Sequence, residues 1–464
     1  MSTQVVDAAM PVGAQRRMLA AAVLASFVSF LDGTIVTIAL PSIARELHGG
    51  VAVQQWVVDG YLLTLSALIL LAGAVSDALG RLRVLRIALV AFVATSALCA
   101  LAPSSGFLIA ARVLQGAAGA FLVPGSLALV IAVFEGAAQA KAIGSWTAWT
   151  SVSSLFGPVL GGLLVDALGW RSVFLVGLIP AAGSMLLLGK VGDAPRVGPR
   201  QRIDLVAASL AALGLAGVTT GLIELGAGRD AALPPAAAWP LLIAGAICLA
   251  AMLLRNQRST HPLVPPDLFA ARNFAAGNGA TLFIYAGLGL FSLVPALFLQ
   301  EVVRLPATVA AVVSLPATVL MILLSGRFGA LAGRYGPRGF MTAGPLVAAA
   351  GALVTAHVPE PGRALWFVVP GTVLTGLGLA MTVAPLTSAV LGAVPPDRSG
   401  IGSAVNNAVA RVAGLVATAC VGWILSGAVS LPGFQRSAVV TAGLLAIGGA
   451  VSWAGIRGRA AQHS

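Results

Sequence analysis

The chain has 464 residues, 58% of them hydrophobic and only 9% charged, with a formal net charge of +12 and a mean hydropathy of +0.98. Soluble domains carry about 25% charged residues, so a water-soluble enzyme or nucleic-acid-binding protein is excluded despite the positive balance. The apolar residues run on for about 20 at a time instead of alternating, which excludes a membrane β-barrel and leaves an all-α integral membrane protein.

Fourteen apolar segments can be marked in chain order. Arg16 and Arg17 precede the first, at 18–41, in the manner of a signal peptide. That run is too long for one and contains Asp32, so it reads as a retained first helix. Five more follow at 54–76, 84–102, 107–134, 141–165 and 171–189. A polar stretch, 189–204, leads to two further segments at 205–225 and 238–254. After a second polar stretch, 255–273, six more occupy 274–299, 307–332, 339–357, 364–391, 401–427 and 435–456. The pattern divides the chain into an N-terminal six-helix bundle (1–190), a linker with two additional helices (191–272) and a C-terminal six-helix bundle (273–464).

An even number of spans puts both termini on one side. Nineteen of the 27 Lys and Arg residues fall in the termini and loops of that side, and six on the other. The excess predicts a multi-pass protein of the plasma (inner) membrane with both termini cytoplasmic. An internal echo joins the halves: "GAVSDALGRLRVLR" (73–86) and "GRFGALAGRYGPRG" (326–339) each follow the second span of their bundle. A duplicated transporter with a central cavity is the architecture this suggests.

Arg112 and Arg411 are the two basic residues inside spans, and Asp32 and Asp59 are acids in adjacent ones. A charge deep in a bilayer costs several kcal/mol unless it is paired or hydrated, so each is a functional candidate. Asp32 and Asp59 could carry a proton between the two sides or attract a cationic substrate. Arg411 could pair with an acid that the sequence does not identify. Asn406 and Asn407, on the same segment, could line the cavity or bond across helices. Glu224 and Glu301 end their spans and read as solvated helix ends. Cys99, Cys248 and Cys420 lie far apart in apolar runs, and the four His residues show no metal spacing. The Gly-rich runs lack the strand–loop–helix setting and the Gly-Lys-Ser/Thr of a phosphate loop. No cofactor and no enzymatic activity are therefore expected.

Four stretches of the first half occur in the order of a known family. "LDGTIVTIALP" (31–41) resembles a first-helix motif, and "GAVSDALGRLR" (73–83) resembles the loop signature of the major facilitator superfamily. "LIAARVLQGAAGAF" (108–121) resembles its fourth-helix R-x-x-Q-G motif. "SSLFGPVLGGLLVDALGWRSVFLV" (153–176) resembles the G-P-x-x-G-G motif of antiporters. With "SGIGSAVNNAVARVAG" (399–414) and the helix count, the chain resembles the fourteen-spanner drug:proton antiporters. It departs from the pattern at Thr37, where Asn is usual, at Ala78 and Leu82, where basic residues are usual, and at Gly333, where the second-half loop lacks an acid.

The resemblance implies a major facilitator fold with two extra helices, driven by the proton gradient. It implies proton coupling at Asp32 and Asp59 with Arg112 tuning a carboxylate, and cavity roles for Gln115, Asn406, Asn407 and Arg411. It also implies a cytoplasmic gate of Gly73, Asp77, Gly80, Arg81 and Arg83, with Asp77 set against the helix starting near Ser399. Gly157, Pro158, Gly161 and Gly162 would form a bent, closely packed helix sealing the outer side. The expected cargo is a small hydrophobic compound, cationic ones among them, and the expected state is a monomer in lipid. An importer of a small nutrient, and a sensor that has lost transport, are the alternatives.

Overall fold

The computed structural model describes residues 12–134, 136–189, 204–259, 262, 264–395 and 398–457. The polar stretch 190–203, and with it most of the charge predicted for the first linker, lies outside them. The described residues are helical and contain no strand. In lipid each backbone N–H and C=O must be satisfied within its own segment, which a helix does. The first helices are α1 (Val12–Glu46), α2 (Val51–Leu79), α3 (Arg81–Ala100), α4 (Ser105–Val133) and α5 (Gly136–Leu168). They are followed by α6 (Ser172–Leu175), α7 (Leu178–Gly189), α8 (Leu205–Gly226) and α9 (Pro235–Arg258). The remainder are α10 (Arg272–Glu301), α11 (Ala307–Tyr335), α12 (Pro337–Ala356), α13 (Ala364–Leu391), α14 (Ser399–Ala419), α15 (Val421–Leu425) and α16 (Leu431–Gly455). Twelve helical stretches among the described residues are long and apolar enough to cross a membrane.

The helices overrun the predicted segments because hydropathy marks only their lipid-deep parts. Thus α1 continues through Arg17 at one end and Arg45 at the other. The segment predicted at 171–189 is broken at Val176 and Gly177 into α6 and α7, and that at 401–427 is broken at Cys420 into α14 and α15. The internal echo is structural as well. Gly80 ends α2 with φ +97°, and Gly336 ends α11 with φ +90°, both in the left-handed region that suits glycine.

α1 packs on α4, α5 and α7, and α2 and α3 pack on α4. In the second half α10 packs on α14 and α16, while α12 and α11 pack on α13. α8 and α9 pair with each other, and α8 lies against both α2 and α14. Arg272 donates to the carbonyls of Ala454 and Gly455, which places the start of α10 beside the end of α16. Gln300 at the other end of α10 donates to the carbonyl of Ile38 near the end of α1. Both ends of the described chain therefore share one face, the terminal side, opposite a far side.

The core is divided unequally between these sides. On the far side one apolar cluster joins both halves, from Ile35, Ile43 and Trp170 to Leu297, Ala311 and Phe434. On the terminal side each half has its own cluster, Met18 to Leu188 in one and Leu268 to Ile456 in the other. Among the described residues the halves thus share one buried cluster at the far side and keep separate clusters at the terminal side.

Candidate functional site

Two of the first-half motifs, those on α1 and α4, converge on one buried network. Asp32 lies in the middle of α1 and is 6% exposed; Arg112, on the first turns of α4, is 1% exposed. Arg112 Nη1 donates to Asp32 Oδ2 at 2.7 Å and to Gln115 Oε1 at 2.6 Å. Gln115, one turn later on the same helix face, donates to Asp32 Oδ1 at 3.1 Å and to Ser96 Oγ of α3 at 2.8 Å. Arg112 Nε donates to the Val57 carbonyl at 2.9 Å, and its guanidinium lies 4.4 Å from the centre of the Tyr61 ring. The Tyr61 and Ser29 hydroxyls are 2.9 Å apart. Asp32 is therefore not a lone carboxylate. It is an ion-paired, doubly bonded group inside the first half, which offsets the cost of burying it. A small cavity between α1, α3 and the α6–α7 break abuts Asp32 and Ser96.

Asp59 lies elsewhere. It is fully buried where α2 meets α14, and Thr418 of the second half donates to its Oδ1. Oδ2 has no partner among the described residues. One turn earlier, Gln55 donates to the carbonyls of Thr418 and Ala419, each at 2.8 Å. The two acids are thus separate sites: Asp32 within one half, Asp59 on the seam between halves.

The glycines of α5 fill a third role. Gly157 and Gly161 pack on Thr34 and Ile35 of α1, and Gly162 packs on the first residues of α11. A Cβ at Gly162 would lie 2.6 Å from Thr308 Cα and 2.9 Å from the Ala307 carbonyl oxygen. Pro158 sits within α5, which stays helical through it. Four residues after Gly162, on the same face, Asp166 accepts from Ala307 N at 3.1 Å, Thr308 N at 2.8 Å and Thr308 Oγ1 at 2.6 Å. The residue preceding α11 is Pro306, which supplies no side-chain cap. The first-turn N–H groups of α11 are instead capped by an acid of the opposite half.

The remaining candidates are placed as follows. Gly73 and Asp77 lie in the last turns of α2, and their side chains, like that of Ser399, are outside the described ones. Arg81 donates to the Ala128 carbonyl of α4, and Arg83 is exposed. Asn406 donates to Asn278 and Thr281 of α10, so it ties helices together within the second half. Asn407 is exposed and bonds one turn back along its own helix, to the Ser403 carbonyl. Arg411 has no acid partner among the described residues; its guanidinium lies 5.8 Å from the Phe30 ring centre on α1. Glu224 is not a solvated end. It is 6% exposed and accepts from Trp56 Nε1 at 3.2 Å and Leu233 N at 2.8 Å, fastening α8 to α2. Glu301 is half-buried and accepts from Gln54 across the halves. Both departures have one cause: α8 and α10 end against other helices, not in solvent.

Sequence reasoning missed Asp166, Thr418 and Gln55. The spacing of Asp166 from Gly162, and of Gln55 from Asp59, carried a usable signal, because residues four apart share a helix face. Thr418 carried none, since a threonine in an apolar helix is ordinary until its neighbour is known.

The sequence profile of the Major Facilitator Superfamily matches residues 22–418. The chain is 32% identical over 434 residues to the probable actinorhodin transporter of Streptomyces coelicolor, covering 90% of this chain and 73% of that one. It is 32% identical over 442 residues to the multidrug efflux pump LfrA of Mycolicibacterium smegmatis, covering 92% and 84%. Its fold is similar to that of a bacterial homolog of the human lysosomal transporter Spinster, solved inward-facing and unoccupied. The TM-score is 0.66 at 16% identity, over 96% of this chain and 98% of that one. Motifs, fold and relatives agree: the chain is a multi-pass membrane protein and belongs to the Major Facilitator Superfamily.

Proposed function

We propose that the protein exports small hydrophobic compounds by alternating access, in exchange for protons. The observation that carries this reading is the Asp32–Arg112–Gln115 network, a carboxylate–guanidinium pair buried in a fold whose halves share a core at the far side. The kinship with a multidrug efflux pump supports export over import. α2 and α5, of 29 and 33 residues, cross the membrane with the other twelve stretches, making fourteen spans. Two six-helix bundles (1–190 and 273–464) rock about the far side, and 191–272 adds the α8–α9 pair. The excess of Lys and Arg orients the terminal side, with both termini, to the cytoplasm. The far side is then the outer gate, closed here, with Gly157, Pro158, Gly161 and Gly162 in its seal.

In this scheme a proton taken by Asp32 dissolves its pairing with Arg112 and frees Gln115, so α1 and α4 repack. Asp59 adds a second step at the gate. Among the described residues no cation and no second donor meets its Oδ2, so a proton is the counterpart that the closed gate lacks. Gly73, Asp77, Gly80, Arg81 and Arg83 act at the cytoplasmic gate. The proton gradient is the energy source, no cofactor takes part, the working unit is a monomer in the lipid, and the cargo is moved without being converted. The test is dye efflux from energised cells with and without an uncoupler. Asp32→Asn is expected to abolish uncoupler-sensitive efflux while the protein still inserts; an Asp32→Asn variant that still drives it overturns the proton role.

A further inference from the structure

The charge of the central cavity is set by Arg411, and we propose from it that the cargo is an organic anion with a flat apolar body. The inference rests on the export reading and names the substrate class of that same cavity. Arg411 lies 12 residues into α14, about 18 Å along the helix axis at ~1.5 Å per residue, so its side chain cannot reach a headgroup region at that end. It is half-buried, not enclosed, and no carboxylate pairs with it among the described residues. An arginine at this depth without an acid partner faces the bundle interior or a water-filled cavity.

The facing surfaces of α1 and α14 leave open room beside it. A Cβ at Gly33 of α1 or at Gly414 of α14 would meet nothing within 4 Å, and Gly33 and Asn407 are exposed. Ser403, Asn407 and Arg411 follow at intervals of four and form one polar stripe of α14. Across the space stands the ring of Phe30, 5.8 Å from the Arg411 guanidinium. The described acids of the spans are engaged elsewhere. Asp32 is held by Arg112 behind α1, Asp59 by Thr418 in the far-side seam, Glu224 by Trp56 and Leu233, and Glu301 by Gln54. The carboxylate that in the sequence looks like a partner for a cation is thus already taken. Among the described residues, this stripe and the ring facing it offer a ligand a cation, an amide, a hydroxyl and an aromatic plate. In a low-dielectric cleft an uncompensated guanidinium favours an anion and repels a cation. It can also bind a carboxylate through two parallel N–H donors, which a lysine cannot do.

The experiment uses proteoliposomes of the full chain with an imposed proton gradient and three probes on one scaffold: pyrene butyrate, pyrene butanol and pyrenylbutyl trimethylammonium. The wild type is expected to move the butyrate with the lowest KM and to exclude the ammonium. Arg411→Gln should raise the butyrate KM about tenfold or more while changing that of the alcohol less than twofold, and Arg411→Lys should restore part of the loss. If the wild type moves the ammonium and rejects the butyrate, or if Arg411→Gln weakens butyrate and alcohol alike, the anion assignment is overturned and export stands. If the correctly inserted wild type moves none of the three, both readings fall.

Discussion

The far and terminal sides of the molecule are built from the same kinds of helix, yet among the described residues the apolar cluster shared by both halves lies at the far side. At the far side small residues let helices of opposite halves touch. Gly162 lies on the backbone of α11, Asp166 caps that helix, and Gln300, Gln55 and Thr418 place donors on groups of the other half. At the terminal side each half buries its own apolar residues and presents separate surfaces. Even the glycines differ. Gly144 and Gly326, toward the terminal side, have open space where a Cβ would be, whereas Gly162 has backbone there. Closure in this fold therefore depends on close approach and on polar groups that pair only across the seam, because packing in lipid gains little from hydrophobic burial itself.

The largest expected effect comes from removing that approach. Gly162→Leu inserts a side chain where the α11 backbone lies, and overpacking of this kind costs about 1–3 kcal/mol against the closed state. Efflux should fall about tenfold or more, and cysteines placed in the far-side seam should become reactive to an impermeant reagent from outside. The paired control is Gly326→Ala, which should leave both measurements unchanged. Equal effects from the two would remove the distinction between the sides.

Asp166→Ala comes next. Losing an N-cap costs about 0.5–2 kcal/mol, so the closed-to-open ratio should fall by a factor of about 2 to 30. A spin-label pair across α5 and α11 would report it as a longer distance, and Asp166→Asn, which can still cap, should recover most of the closed state. An unchanged distance in the Ala variant would mean that the cap follows closure and does not favour it.

The smallest effect is expected at the terminal side. Arg398 bonded to Asp267 holds that carboxyl below the usual carboxylate range. A lowered pKa contributes stability that is present above the ordinary carboxylate range and is lost as pH falls through the lowered value. The melting temperature in detergent should therefore be insensitive to this pair from pH 7 to about 5 and depend on it only in stronger acid. Asp267→Asn should remove that acid-dependent part. The pair is largely exposed, with side-chain accessibilities of 41% and 60%, so the effect is small and should shrink further in salt.

The network around Asp32 was half legible beforehand. Each of Asp32, Arg112 and Gln115 is conspicuous as a polar residue in an apolar run, but three residues separated by up to 83 positions gain a common meaning only when α1 and α4 are packed. Arg411 shows the opposite case. Its depth could be read from the segment, whereas its lack of an acid partner among the described residues required knowing where the acids had gone. Glu224 was misread because a helix end in a sequence looks like a surface until a neighbouring helix covers it.

Hydropathy and the length of the apolar runs determined that the chain is helical and lies in a membrane, and the six–two–six spacing suggested a duplication. These follow from local rules, since lipid demands long apolar helices wherever the chain crosses it. Tertiary structure decided which side carries the shared core, which acid pairs with Arg112, and that Arg411 meets no acid among the described residues. Those outcomes depend on the rotation and contact of helices hundreds of residues apart, and periodicity within one helix carries no record of what faces it.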